Sequence, residues 1–492
     1  RQRKSYAKRI GQKFSVSESQ IEQDLYRILE ELEKDRKTPE ETADAVPAMT
    51  EEENQEALRS LKNPHLVQEI IQDLSKIGCV GEEQNKLLGY LVTISRKLHE
   101  PLSLTIVSQS GAGKSNLADV LESILPKEDV IRLSRITPQA LYYMDKDALK
   151  RKVLIIEEKE GSNSADYSIR VLQSKKSLKL AVALKDPQTG KMKTVIFEVE
   201  GPVVVIETTT RTDINPENGS RVFIAYMDES EEQTKRIHLF QRQQKTIAGR
   251  QAKIESETLI RKHQNIQRLL KEVAIDIPYV HKIHFPTKWM RTRRDYQKFL
   301  NLIEAVTFLH QTQRQIKTLS DGLEYIEATS QDYKIAYSLA CEIFGDCLSE
   351  LMKPEREFYE LIKEMLQEKE LLSFQRRMIR EYSKLPDHVI RRYLETLVQM
   401  EYLLILEGKN GIRFEYKLSP EPQTKEVLQG LTTPEELEEA LRSATKVEDP
   451  TKLQCRTSVP CLPAGRDLAS GGTLRQPCGN LAARLNGSDH TT

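Results

Sequence analysis

Residues 103–121, LSLTIVSQSGAGKSNLADV, constrain this chain more than any other stretch. They read as a buried strand, a glycine-bearing turn ending in Gly-Lys-Ser, and an amphipathic helix. Such a turn wraps phosphates with backbone N–H groups at a helix N-terminus, where orphan donors and the helix dipole favour anions. The pattern assigns Ser110, Gly111, Ala112, Gly113, Lys114, Ser115 and Asn116 to a phosphate-binding loop. Lys114 would reach the β- and γ-phosphates and the Ser115 hydroxyl would ligate Mg²⁺, so ATP and Mg²⁺ are the expected cofactors. Ser108 stands where the G-x-x-x-x-G-K-[ST] pattern begins with glycine, which is tolerable where φ stays negative. The alternative is a Ser/Gly-rich surface turn; the strand before and the helix after speak against it.

A length of 492 residues corresponds to about three domains. With 74 basic and 74 acidic residues there is no net charge to attract nucleic acid, so any such contact must come from local basic patches. No apolar run approaches the roughly 20 residues a membrane span needs. No signal pattern opens the chain, which begins RQRKSYAKRI without a Met, as a fragment or processed product does. The six cysteines include no C-x₂-C pair and no zinc spacing with His, so reduced thiols in a cytoplasmic protein are expected.

Residues 1–36 read as a short helical segment of two helices around a Ser-rich turn, and 37–50 as a charged, Pro-containing linker. Leading helices and then alternating strands and helices fill 51–240, the pattern of a mostly parallel sheet. Residues 241–371 read as wholly helical. Residues 372–420 change to short helices followed by a hairpin, and 421–492 to an acidic helix and an unstructured Gly/Pro/Ser-bearing tail.

VLIIEE (153–158) is a buried strand carrying carboxylates to the C-terminal sheet edge, where ligands sit in open α/β folds. Glu157 would hold the Mg²⁺ shell and Glu158 would be the general base on the attacking water. Asp is usual at the first position, so the two roles can be shared. VVVIETTT (203–210) is a second run, and a hydroxyl at its end, Thr209, would orient that water. Arg221, on a loop beyond it, is placed to reach a neighbouring subunit's γ-phosphate. Between the two strands lies SLKLAVALKDPQTGKMKTVIFEVE, two alternating segments around the turn Asp186–Gly190, a hairpin signal. Lys185, Lys191 and Lys193 at its tip would grip a phosphate backbone, although an ordinary β-insert is the alternative.

SGAGKS, VLIIEE, the basic hairpin, ETTT and NGSRVFIAYMDESEEQT together resemble the AAA+ ATPase family. Within it, the chain looks most like the minichromosome-maintenance-like and superfamily-3-like helicases of bacterial mobile elements, especially the ATPase half of primase-helicase proteins. The resemblance implies an α/β AAA+ P-loop core with a helical lid, a homo-hexameric ring, Arg221 as the finger toward a partner subunit, and DNA as the substrate. It also implies a primase module upstream or in trans. In the lid-like region, Arg294 at the start of a helix is the candidate for sensor 2, with a solvated basic turn as the alternative.

Residues 373–418 read as a winged helix: Asp387 would cap the helix HVIRRYLETLVQM, and a wing would turn at Lys409-Asn410-Gly411. Arg391 and Arg392, at the exposed start of that helix, would meet DNA, although such modules also dock proteins. The expected function is an ATP-dependent DNA helicase or translocase in replication of a mobile element. The alternatives are a non-unwinding AAA+ switch and a remnant with lost catalysis.

Overall fold

The computed structural model describes residues 49–445 apart from positions 110, 112, 138, 158–164, 186–191, 211–213, 215, 288–291, 349–352, 384, 401, 408–413 and 420–429. The segment 1–36, nearly all of the linker and the tail beyond 445 lie outside the described residues. Three helices lead in: α1 (Glu51–Leu61), α2 (Leu66–Ile77) and α3 (Glu83–Ile94). Thr50 and Glu53 close a capping box on α1, satisfying two backbone N–H groups reciprocally. Then come β1 (Leu104–Val107), α4 (Lys114–Ser123), β2 (Val130–Leu133), β3 (Lys152–Ile156) and α5 (Asp166–Lys175). A hairpin of two nine-residue strands, β4 (Ser177–Lys185) and β5 (Met192–Glu200), precedes β6 (Val203–Thr209). The short helix α6 (Pro216–Gly219) leads to β7 (Phe223–Tyr226).

β1, β2, β3, β6 and β7 form one parallel sheet in the order β2-β3-β6-β1-β7. Every residue of β1 and β6 is buried, as strands covered on both faces must be. The period of two sends Val153, Ile155, Val204 and Ile206 into a large core with Leu88, Leu117 and Leu121. It sends Leu154, Ile156, Val203 and Val205 into a smaller core with Leu141, Ile169 and Leu172. β1, β3, β6 and β7 lie where the apolar runs predict them, whereas the half-buried β2 is not singled out by the sequence. β4 and β5 pair outside this sheet, antiparallel from Ser177↔Glu200 to Lys185↔Met192, as the Asp-Pro…Gly turn predicts.

After α7 (Glu231–Gln244), the long helix α8 (Ile247–Leu269) returns to pack on α1 and α2. There Lys262 is buried against Glu69 at 3.0 Å and against Asp73, so the charge it takes into the core is paired. Residues 241–371 correct the wholly helical expectation. β8 (Ala274–Asp276), β9 (Lys317–Thr318) and β10 (Glu324–Glu327) form a three-stranded sheet, interleaved with α9 (Thr292–Leu309) and α10 (Ser330–Leu348). Strands of two to four residues leave too little period to read. α9 and α10 carry Phe299, Leu302, Val306, Tyr333 and Leu339 into the large core, so these helices are built onto the sheet domain rather than set apart from it.

A second core holds α11 (Lys353–Glu368), β11 (Phe374–Gln375), α12 (Arg376–Ser383), α13 (Asp387–Gln399), β12 (Leu403–Glu407) and β13 (Glu415–Leu418). Its strands pair antiparallel in the order β11-β13-β12. Helices followed by a hairpin were expected here, but Asp387 is the first residue of α13 and not its cap. Pro386 is the cap and makes no side-chain bond, while the Asp387 carboxylate lies 3.5 Å from Arg376. α14 (Pro434–Thr445) is the last described element. Among the described residues no helix is long and apolar enough to cross a membrane, and Cys79 and Cys341 are free thiols.

Glu304 on α9 supplies a test of this packing. Burial and the Glu100 carboxylate push its pKa up from 4.5 to about 7. The folded state therefore keeps a proton that the unfolded chain releases near pH 4.5, and stability falls as pH rises through that window, by roughly 3 kcal/mol. Glu304→Gln should flatten this part of the slope. Urea unfolding at pH 5 and pH 8 checks it: the wild type should lose more stability than the variant between the two.

Candidate functional site

The loop after β1 is shaped by two glycines. Gly111 has φ +91 and Gly113 has φ +98, a region that side chains avoid, and Gly113 is also the N-cap of α4. Ser108 is not among the residues with positive φ, so replacing glycine there costs no backbone strain. Its N–H continues the ladder to Thr209 O at 3.3 Å. The first N–H groups of α4, from Lys114 to Asn116, have no intrahelical acceptor, the usual anion-binding condition of a helix start. Lys114 reaches back across the loop to Gln109 O at 3.5 Å. Ser110 and Ala112 lie outside the described residues.

Parallel topology decides what stands beside this loop. β6 neighbours β1, with Thr209 opposite Val107 and buried at the carboxyl edge. β3 flanks β6 on its other side and ends one residue before Glu157. Glu158 lies outside the described residues. Glu157 is not an open carboxylate: Arg132, on β2, donates to its Oε1 at 2.6 Å and also binds Asp119 and Glu122 of α4. The three carboxylates hold the Arg132 pKa well above its ordinary value despite partial burial. Both Arg132 contacts use Oε1 of Glu157, which leaves Oε2. Among the described residues no three His, Cys, Asp or Glu side chains cluster as a metal cage. A hydroxyl and one carboxylate suit Mg²⁺, which keeps several waters and shares its shell with phosphates. Ser115 and Glu157 are the residues of those types that would hold it.

Two acids at this edge escape the sequence reading. Glu229, just past β7, accepts the Gln109 N–H at 2.7 Å and so puts a carboxylate at the mouth of the phosphate loop. Glu207, 4% exposed, sits in β6 between Thr105 of β1 and Ile156 of β3. A Glu inside a run of β-branched residues was the available signal for Glu207. For Glu229 there was none, because it depends on β7 lying next to β1.

The arginines are elsewhere. Arg221 precedes β7 and Arg294 opens α9, and both line a cavity of about 260 Å³ with Ser103, Pro202 and Phe223, at the amino ends of β1, β6 and β7. That is the edge opposite the phosphate loop. Arg294, the sensor 2 candidate, is therefore not beside its own chain's phosphate loop. Arg294 donates to Ser220 Oγ at 2.6 Å, and Arg221 donates to Ser174 Oγ. Arg221 Nε is buried with no acceptor among the described residues. Burial and the Arg294 charge lower the Arg221 pKa, although Glu217 partly offsets them. No carboxylate lies within ion-pair distance of either guanidinium among the described residues.

Of the hairpin lysines, Lys193 is exposed on β5, Lys191 lies outside the described residues, and Lys185 ends β4 with its side chain undescribed. Arg391 and Arg392 are both exposed on α13, and the Arg392 guanidinium lies 5.1 Å from the Tyr393 ring centre.

Residues 49–272 match a family model described as the MTBMA_p00010 P-loop domain. The matched span runs from the capping box of α1 through α8, so the leading helices and the returning helix go with the sheet. The match supports a nucleotide-binding P-loop domain of the triphosphatase kind. No curated protein matches the chain.

Lys114→Ala should weaken nucleotide binding by roughly 30-fold, about 2 kcal/mol for a hydrogen bond to a charged group. Titration calorimetry with ATP and Mg²⁺ measures this, and unchanged affinity would remove the loop from the site.

Proposed function

We propose that the chain is an ATP-driven motor on DNA, a helicase or translocase of the AAA+ kind that works as a ring of identical subunits. The observation that carries this reading is the separation of the phosphate loop and the arginine pair onto opposite edges of one sheet. A guanidinium at the amino edge meets a γ-phosphate only when that phosphate belongs to another copy. In this reading Lys114 and the loop amides hold the phosphates, and Ser115 and Glu157 hold Mg²⁺, which neutralises charge on the phosphoryl oxygens. Glu158 takes a proton from the attacking water and Thr209 orients that water. Arg221, with Arg294 beside it, offsets transition-state charge from the next subunit.

The hairpin supports the nucleic-acid side of the proposal. It is inserted between β3 and β6, the two strands that bring acid and hydroxyl to the nucleotide edge, and Lys185 and Lys193 belong to the last two of its nine backbone pairs. One observation favours a second reading, a switch acting on a protein partner. Leu404, Ile405 and Leu406 are all about half exposed on β12, a surface less suited to phosphates than the lysine-bearing tip.

Two experiments test the motor. Arg221→Ala and Lys114→Ala proteins should each lack turnover, yet mixed rings should recover part of it, since each variant brings an intact half of a shared site. Absence of recovery in proven mixed rings would sink the cross-subunit role. Separately, replacing Lys185, Lys191 and Lys193 by Ala should keep basal hydrolysis and flatten the salt dependence of single-stranded DNA binding by roughly one unit of slope per lost contact. Coincident slopes would move the switch reading ahead.

A further inference from the structure

α5 connects the two features on which the proposed motor depends. Asp166, Arg170 and Ser174 recur every four residues and so share one face of the helix. That face is bonded along its whole length to the segment carrying Arg221. Asn218 Nδ2 donates to Asp166 Oδ2 at 2.5 Å. Arg170 Nη1 donates to Glu217 Oε2 at 2.9 Å and to Asn218 Oδ1 at 3.1 Å. Arg221 Nη1 donates to Ser174 Oγ, and the Ser174 hydroxyl spends its own proton on Arg170 O at 2.7 Å. The hydroxyl lone pairs are thereby turned toward the guanidinium.

The far end of the helix has no slack. Lys176, in the left-handed region at φ +54, is the only residue between α5 and β4. Its carbonyl accepts the Gly201 N–H at 2.7 Å, which closes the base of the hairpin. Ile169 and Leu172 of α5 share the smaller core with Leu178 and Val199 from the first and second hairpin strands. A shift of the helix end is therefore a shift of the hairpin base. Among the described residues the Arg221 side chain, by contrast, has the Ser174 hydroxyl as its one hydrogen-bond partner, with Nε unpartnered and Arg294 repelling it. An anion arriving in the cavity would draw the guanidinium and, through Ser174, the end of α5.

We propose that α5 is the strut that couples the anion engaged by Arg221 to the β4–β5 hairpin, with Arg170 and Ser174 as positioning residues for Arg221. This rests on the reading of Arg221 as a cross-subunit arginine and of the hairpin as a DNA contact. Thermodynamic coupling between two sites is reciprocal, so the signature is the ratio of DNA affinities in two nucleotide states.

The test uses the full chain and a fluorescent 40-nucleotide oligothymidylate, titrated with ADP and with the β,γ-imido analogue of ATP. The wild type should show a ratio of the two Kd values of at least five. In Ser174→Ala, whose side chain is exposed, and in Arg170→Ala, the ratio should fall toward one while the geometric mean of the two affinities changes less than twofold. Ser174→Thr, which restores the hydroxyl, should recover the wild-type ratio. A wild-type ratio above five that survives Ser174→Ala overturns the strut and leaves the motor standing. Equal loss of affinity in both nucleotide states also overturns it, because that is a damaged DNA surface and not a lost coupling. A wild-type ratio of one overturns the strut together with the reading beneath it.

Discussion

A parallel sheet gives all its strands the same direction, and this one constraint arranges everything else in the molecule. The carboxyl ends of β1, β6 and β3 lie at one edge, so a loop after β1, a hydroxyl at the end of β6 and a carboxylate after β3 share that edge without being near in sequence. Residues that precede strands collect on the other edge by the same necessity. Arg221, immediately upstream of β7, is thus kept from Lys114 of its own chain by the length of the strands. The burial of β1 and β6 on both faces leaves the sheet no freedom to rearrange the two edges.

How much of this could be read in advance depended on whether a residue's role is local. Gly111 and Gly113 were legible because the left-handed backbone they provide is a property of the turn itself. The hairpin was legible because alternation on each side of Asp-Pro-Gln-Thr-Gly sets its register. The grip of Arg132 on Glu157 was not, since it requires β2 to lie beside β3, and β2 is four half-buried residues with weak alternation. The same holds for Glu229, brought to Gln109 by the pairing of β7 with β1. Arg294 was found as a basic helix start, but its edge of the sheet is decided by α9 packing into the large core, which no local pattern encodes. The sheet formed by β8, β9 and β10 was missed for the plainest reason: its strands are too short to carry a period.

Charge is spent very differently at the two edges. At the amino edge Lys176 is paired with Glu100, and Lys298 lies 2.8 Å from Asp295, whereas among the described residues the Arg221 and Arg294 guanidiniums have hydroxyl partners only. A chain with equal numbers of acids and bases has counter-ions to spare, so two neighbouring guanidiniums without one are a local choice. Arg221 is half-buried and Arg294 exposed, and the second charge disfavours the first, a repulsion that an anion between them would offset.

At the carboxyl edge the arrangement is reversed, with one arginine shared among three carboxylates. Were Glu157 to leave Arg132, Asp119 and Glu122 would remain on the guanidinium and no unpaired charge would be stranded. The use of Glu where Asp is usual then has a geometric reason. The extra methylene lets Oε1 lie against Arg132 on the neighbouring strand while Oε2 stays free. An Asp at the end of β3 would be about 1.5 Å shorter, roughly one C–C bond, which would draw the carboxylate back from Arg132. Glu157, read in the sequence as a metal position, is in the folded chain the third carboxylate on the Arg132 guanidinium.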